Sequence, residues 1–290
     1  MSTSLQTLWT IGANTFREAV RQRFFAFLIV LALGLVGSSL FFARFDFGNQ
    51  QIKFVADFGF GAILLFGTIL AVVMAAQLLY SEIDNRTALT MLAKPVRRWE
   101  FIVGKWLGLL LLLAVFCGAM FLILTLMLYQ REVALIEAAE AAVGRAALLE
   151  SDTPFADGGL VSYSGLALFA LLQWLRLCLL AALTIFIGAF SGTNLYTVVV
   201  GFFATLICQL QYIAADGVAQ TENIFLKAFT FVFSRVFPNL QLFNVGDVLV
   251  FPFTASEPLG VAPSEIIGVS LLYTAVFLGL AVYAFRKREI

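Results

Sequence analysis

The 290-residue chain is 61% apolar and 12% charged, with a mean hydropathy of +0.97. Soluble domains run near a quarter charged, so an ordinary soluble enzyme and a disordered chain are both excluded. The 18 basic residues are balanced by 18 acidic ones, and the longest basic run is Arg286-Lys287-Arg288, which argues against nucleic-acid binding. Histidine is absent, which removes His-ligated metals, the Ser-His-Asp triad and histidine proton relays. The remaining class is an all-α polytopic membrane protein.

In chain order, residues 4–22 come first. Asn14, Arg17, Glu18 and Arg21 share one helical face, with Leu5, Leu8, Trp9 and Phe16 opposite. The pattern predicts an amphipathic elbow helix in the interface, bracing the first span. A spanning helix needs about 20 apolar residues. Six runs qualify, at 24–43, 59–80, 106–129, 166–189, 195–214 and 265–285. They form one transmembrane domain over 1–290. Lipid gives backbone groups no partners, so all six are helices. Stretches such as Leu109 to Val115 lack the period-two alternation of a β-barrel. The first run is too long for a signal-peptide core and is read as a retained helix.

Basic residues set the orientation. With a cytoplasmic N-terminus, the inner segments carry Arg17, Arg21, Arg23, Arg86, Lys94, Arg97, Arg98, Lys105, Arg286, Lys287 and Arg288. The longer outer loops carry Arg44, Lys53, Arg131, Arg145, Lys227 and Arg235. An even number of spans then places both termini in the cytoplasm.

The cytoplasmic loop at 82–98 is the most informative connection. Asp84 or Asn85 can cap a short helix, and Ala88, Leu89 and Leu92 form its apolar face. Lys94 suits the helix C-terminus and Pro95 ends it. Arg97 and Arg98 mark the membrane surface. The same stretch also fits a plain solvated basic loop. Of the extracytoplasmic segments, 130–165 predicts an Ala-rich amphipathic helix lying on the outer surface over 131–150. The other, 215–264, is too apolar for a free loop and is expected to dip into the outer leaflet or cap the bundle. Ser191 to Asn194 forces the fourth and fifth spans into a hairpin.

Nucleotide chemistry is missing. Gly104-Lys105 is followed by Trp106, where a phosphate loop needs Ser or Thr, and Trp99 replaces its first Gly. No carboxylate pair lies within a span. The one clear intramembrane charge is Arg176, near Gln173 and Trp174. Such a charge costs a few kcal/mol at mid-bilayer, so Gln173 and Arg176 are candidate substrate-path residues. Alternatively, Arg176 pairs with a carbonyl or an outer carboxylate, or snorkels outward. Gly104-x-x-x-Gly108 and Gly188-x-x-x-Gly192 permit close helix contacts, although a chain with 22 Gly produces such spacings by chance. Cys117, Cys178 and Cys208 sit in apolar runs and read as small core side chains. No metal site is read.

The loop run Glu82, Thr87-Ala88-Leu89, Leu92-Ala93-Lys94-Pro95-Val96, Arg98, Glu100-Phe101 and Gly104-Lys105 resembles the signature loop of bacterial type-2 ABC permeases (ABC-2 family). Phe237-Pro238-Asn239-Leu240-Gln241-Leu242-Phe243-Asn244-Val245-Gly246-Asp247 and the ending Phe285-Arg286-Lys287-Arg288-Glu289 are similar to it too. The subgroup resembled includes the permease of the nitrous-oxide-reductase maturation system. The resemblance implies an elbow helix plus six spans in the bacterial inner membrane. It also implies a second permease subunit and two copies of a cytoplasmic ATPase that bind the ATP and Mg; this chain binds no cofactor itself. The helix at 84–94 would be the coupling helix. Glu82 and Arg86 would orient it, Leu89 and Leu92 would dock, and Pro95 would fix the exit; Asp84, Thr87, Lys94 and Arg98 complete the ATPase-coupling set. The implied activity is ATP-driven export. The rival reading is a scaffold or maturation platform whose outer segments recruit an extracytoplasmic protein. A secondary transporter is disfavoured by the missing intramembrane carboxylates. The 130–165 segment is longer than the family's minimal pattern, and Arg176 has no family role.

Overall fold

The computed structural model describes residues 2–42, 51–84, 97–144, 159–220, 224–252 and 260–287. Every regular element among them is helical. The elements are α1 (Ser2–Arg21), α2 (Arg23–Phe42), α3 (Gln51–Asp84), α4 (Arg98–Val143), α5 (Tyr163–Phe190), α6 (Asn194–Gln220) and α7 (Ile224–Val236). A short 3-10 turn (Leu240–Phe243), α8 (Gly246–Val250) and α9 (Pro263–Lys287) follow. α1 and α2 meet at a 64° bend. Five further helices, α3 to α6 and α9, are long and apolar enough to cross a membrane.

α5 is the centre of the bundle. It packs on α3, α4, α6, α8 and α9. Its residues from Leu177 to Ile185 are all buried, on every face of the helix. That suits a sequence apolar all round. Two indoles stitch it to α4 in opposite senses. Trp106 Nε1 donates to the Cys178 carbonyl at 3.2 Å, and Trp174 Nε1 donates to the Leu110 carbonyl at 3.1 Å. α6 and α9 are peripheral. The α6 stripe of Val199, Phe203, Leu206, Leu210 and Ile213 is exposed, as are Leu272 and Val276 of α9. Such faces suit lipid.

Two helices outrun the expected spans. The second span was expected from 59, but α3 begins at Gln51. Ile52, Val55, Ala56 and Gly59 bury one helical stripe there, while Lys53 and Asp57 lower the hydropathy of the window. The third span was expected to end near 129, with a separate surface helix at 131–150. Instead α4 runs unbroken from Arg98 to Val143. Residues 131–143 are mostly Ala, Glu, Leu and Arg, which carry little helix penalty, so the backbone ladder continues. Gly144, at φ 86°, ends it. Beyond Gln130 the helix projects about 20 Å further.

The segment between α6 and α9 folds back as α7, the 3-10 turn and α8. Leu240, Phe243, Val250 and Phe251 are buried, and α8 lies against α5. The Val250 carbonyl accepts the Ser162 N–H at 2.9 Å, just before α5 begins. This segment caps one end of the bundle. The opposite end, called the elbow end below, holds α1, the start of α4 and the end of α9.

Candidate functional site

The elbow helix docks through its small residues. Gly12, Thr15 and Ala19 of α1 face α4 and are buried, while Leu5 and Trp9 stay exposed. Gly104 and Gly108 of α4 form the seat. A Cβ on Gly108 would lie 2.6 Å from the Gly12 carbonyl oxygen and 2.6 Å from Thr15 Cβ. One on Gly104 would lie 2.8 Å from the Ile11 side chain. The Gly104-x-x-x-Gly108 spacing is therefore used, by a helix the sequence reading placed in the interface. Gly188 is also a close contact, facing Leu79, whereas Gly192 faces open space.

Lys105 lies between the two seat glycines and is only 3% exposed. Its Nζ is 3.8 Å from the Glu18 carboxylate on α1. The sequence reading grouped it with the surface cations. The elbow covers it instead, and Glu18 supplies the counter-charge that a buried ammonium needs.

Arg98 is the first residue of α4. Its guanidinium donates to the carbonyls of Phe285 at 3.2 Å and Arg286 at 2.8 Å. These are last-turn acceptors of α9, which have no partner within their own helix, and a cation there also suits the helix dipole. The Phe101 and Phe285 rings stack beside them at 5.7 Å. Glu100 fixes the same turn by accepting the Arg97 N–H at 3.1 Å. Across the elbow end, the Tyr80 hydroxyl donates to the Ser191 carbonyl at 2.6 Å and receives the Thr197 hydroxyl at 3.4 Å. The α5–α6 turn is thereby tied to the last turns of α3.

These contacts frame the loop read as the coupling segment. Glu82 and Asp84 lie in the last turn of α3, and Arg98 opens α4. Arg86, Thr87, Leu89, Leu92, Lys94 and Pro95 lie outside the described residues. Tyr80 carries no sequence signal beyond an interface tyrosine, because Ser191 is over a hundred positions away.

Gln173 and Arg176 are both buried, at 4% and 3% exposure, but the structure does not bring them to a common partner. Gln173 Nε2 donates to the Phe243 carbonyl at 2.9 Å, toward the cap. Arg176 donates from Nη2 to Gln209 Oε1 at 2.6 Å, on α6. Its Nε has no hydrogen-bond partner among the described residues. The sequence reading missed Gln209. Its signal was an amide within an otherwise apolar run, Cys208-Gln209-Leu210-Gln211.

At the capped end, Glu132 of α4 is 5% exposed. It accepts the N–H groups of Leu160 at 2.5 Å and Val161 at 3.0 Å, and the Tyr163 hydroxyl. Gly159, at φ 135°, allows this approach, since a Cβ there would lie 2.6 Å from Glu132 Oε1. A residue three positions past the expected span is thus a strap onto α5. Lys53 of α3 likewise reaches Asp247 of α8 at 3.2 Å.

Five long apolar helices, or six with the bent α1–α2 pair counted as one span, and a folded cap before the last helix describe a multi-pass membrane protein. The family model for ABC-2 family transporter proteins matches residues 9–290. The chain belongs to that family and is a permease subunit of an ABC transporter, the kind of membrane chain that works with an ABC ATPase. None of the curated proteins matches the chain.

Proposed function

We propose that the chain is one of two permease subunits of an inner-membrane exporter. Its elbow end faces the cytoplasm and sits on two copies of an ATPase that hold the ATP and Mg. One observation carries this reading. The flanks of the 85–96 segment are fastened to three other elements, through Tyr80 to the α5–α6 turn, through Arg98 to α9, and through Lys105 to α1. A push on that segment is thus delivered to most of the bundle. The basic residues of 17–23, 97–98 and 286–287 share this end, as the positive-inside rule requires of a cytoplasmic face. ATP-driven closure of the ATPases would shift the packed helices between two arrangements. The loop motif and the Phe237–Asp247 run support the subgroup that includes the permease of the nitrous-oxide-reductase maturation system.

Leu89→Asp tests the docking role. It is expected to abolish ATPase co-purification in mild detergent while leaving membrane insertion intact. Undiminished co-purification refutes the role. Cysteines placed in the loop and in the cap, labelled from each side of the membrane, test the orientation.

A second reading is favoured by the projection of α4 beyond Gln130. On it, the chain is a platform that passes ATPase motion to an extracytoplasmic protein. Deleting 137–150 separates the two, since it spares Glu132. A platform loses its outer partner, whereas an exporter keeps nucleotide-dependent flux.

A further inference from the structure

The elbow helix α1 presents three faces, and α4 covers one of them, that of Gly12, Thr15 and Ala19. Beside it, Leu5, Trp9, Phe16 and Val20 recur at spacings of four, seven and four, and so form a single apolar stripe. Leu5, Trp9 and Val20 are exposed and Phe16 is half-buried. The third face carries Thr10, Asn14, Arg17 and Arg21, spaced by four, three and four and all exposed. Arg23 opens α2 just past the 64° bend and is exposed as well.

Two observations define what covers the open faces. The first is charge. Arg17, Arg21 and Arg23 have no ion-pair partner among the described residues. Glu18 is the one acid of α1, and it is held by Lys105 at 3.8 Å. The arginines therefore lack a counter-charge on their own helix. The second is the order of the faces. Arg17 lies about 60° round the helix from Val20, at the edge of the apolar stripe. With that stripe in the acyl region, the long arginine side chains reach the level of lipid phosphates. An acidic protein or a nucleic acid would answer the charge but leave Leu5, Trp9 and Val20 in water. A lipid without net charge would cover the stripe and leave the arginines uncompensated.

We propose that the elbow binds anionic phospholipid. The headgroup phosphate lies between Arg17 and Arg21, and the acyl chains lie along Leu5, Trp9 and Val20. Because the lipid binds the docked elbow, it also stabilises α1 on its seat on α4. The surface belongs to the isolated chain. It rests neither on the ATPase partnership nor on the side of the membrane that the elbow faces, so its failure leaves that reading untouched.

The test uses the full chain in dodecyl maltoside micelles, without ATPase or nucleotide. Dioleoylphosphatidylglycerol and dioleoylphosphatidylcholine are titrated separately, and bound lipid is read by native mass spectrometry. The anionic lipid is expected to bind about tenfold more tightly. Arg17 and Arg21 are exposed, so the double variant Arg17→Gln, Arg21→Gln keeps the fold. It is expected to weaken phosphatidylglycerol by about fivefold per arginine. Lys227→Gln removes an exposed cation of α7 at the capped end and should leave the affinity unchanged. Equal binding of the two lipids, full affinity in the double arginine variant, or an equal loss in Lys227→Gln overturns the proposal. A large excess of soluble glycerol phosphate should not displace the lipid, and displacement would assign the arginines to a free phosphate instead. Hydrogen exchange in nanodiscs gives a second measurement. Amides of residues 5–21 should exchange more slowly with phosphatidylglycerol than with phosphatidylcholine, and the double variant should lose the difference. Equal exchange in the two lipids overturns the seating role.

Discussion

The guanidinium of Arg98, the first residue of α4, closes the carbonyl end of α9 by donating to Phe285 and Arg286 at 3.2 and 2.8 Å. The exit of the loop is therefore joined to the last span rather than free to dock elsewhere. Arg98→Ala removes both bonds and the favourable dipole contact, a loss of about 1–2 kcal/mol. A lower melting temperature in detergent and faster amide exchange in the final turn of α9 are expected. Arg98→Lys restores part of each, because its ammonium keeps the dipole contact but not the planar guanidinium whose Nη1 donates to both carbonyls.

Gly108 supports the elbow by lacking a side chain. Gly108→Val drives a branched side chain into the Gly12 carbonyl and Thr15, both 2.6 Å from its Cβ position. The elbow should lift off. A cysteine replacing Lys105, inaccessible beneath α1, should then react with a water-soluble maleimide. Gly118→Ala is the control. No atom lies within 4 Å of its Cβ position, and the helix gains about 1 kcal/mol in propensity.

Buried Arg176 and half-buried Gln209 are joined by one bond at 2.6 Å. Gln209→Leu strands the guanidinium and should cost about 3 kcal/mol. Adding Arg176→Met removes the stranded charge, so the double variant should melt above Gln209→Leu alone. A double variant no more stable than the single one contradicts the pairing. Chemical denaturation of the four-member cycle in mixed micelles reads the coupling.

Glu132 gathers two N–H groups and the Tyr163 hydroxyl. Glu132→Ala leaves these donors unmet and should release the entry to α5, raising hydrogen exchange over 159–166. Glu132→Gln keeps one acceptor oxygen and should show a smaller rise. Exchange at the far end of α5, near Ser191, should not change in either variant.

The spans were legible because about 20 apolar residues in a row have few other uses. The helix ends were not. Lys53 and Asp57 fell outside the expected span and Glu132 fell on a separate surface helix, yet each sits on a helix that continues past the apolar run. A hydropathy window cannot tell a polar loop from a polar turn of helix. The elbow was legible from its two faces, but its seat was not. The docking face is Gly12, Thr15 and Ala19, whose small size carries no hydrophobic signal. Gln173 and Arg176 stood out as polar residues in an apolar run, but their partners, Phe243 and Gln209, lie on other elements. No local spacing names a contact between residues so far apart in the chain.

The Tyr80 hydroxyl has a mechanical consequence. It holds the Ser191 carbonyl and the Thr197 hydroxyl, so the hairpin of α5 and α6 is hinged to the stalk of α3 one turn before Asp84. Twisting that stalk about its axis would swing the central α5 and the peripheral α6 together as a single lever. Replacing one phenolic oxygen, by Tyr80→Phe, would let them turn independently.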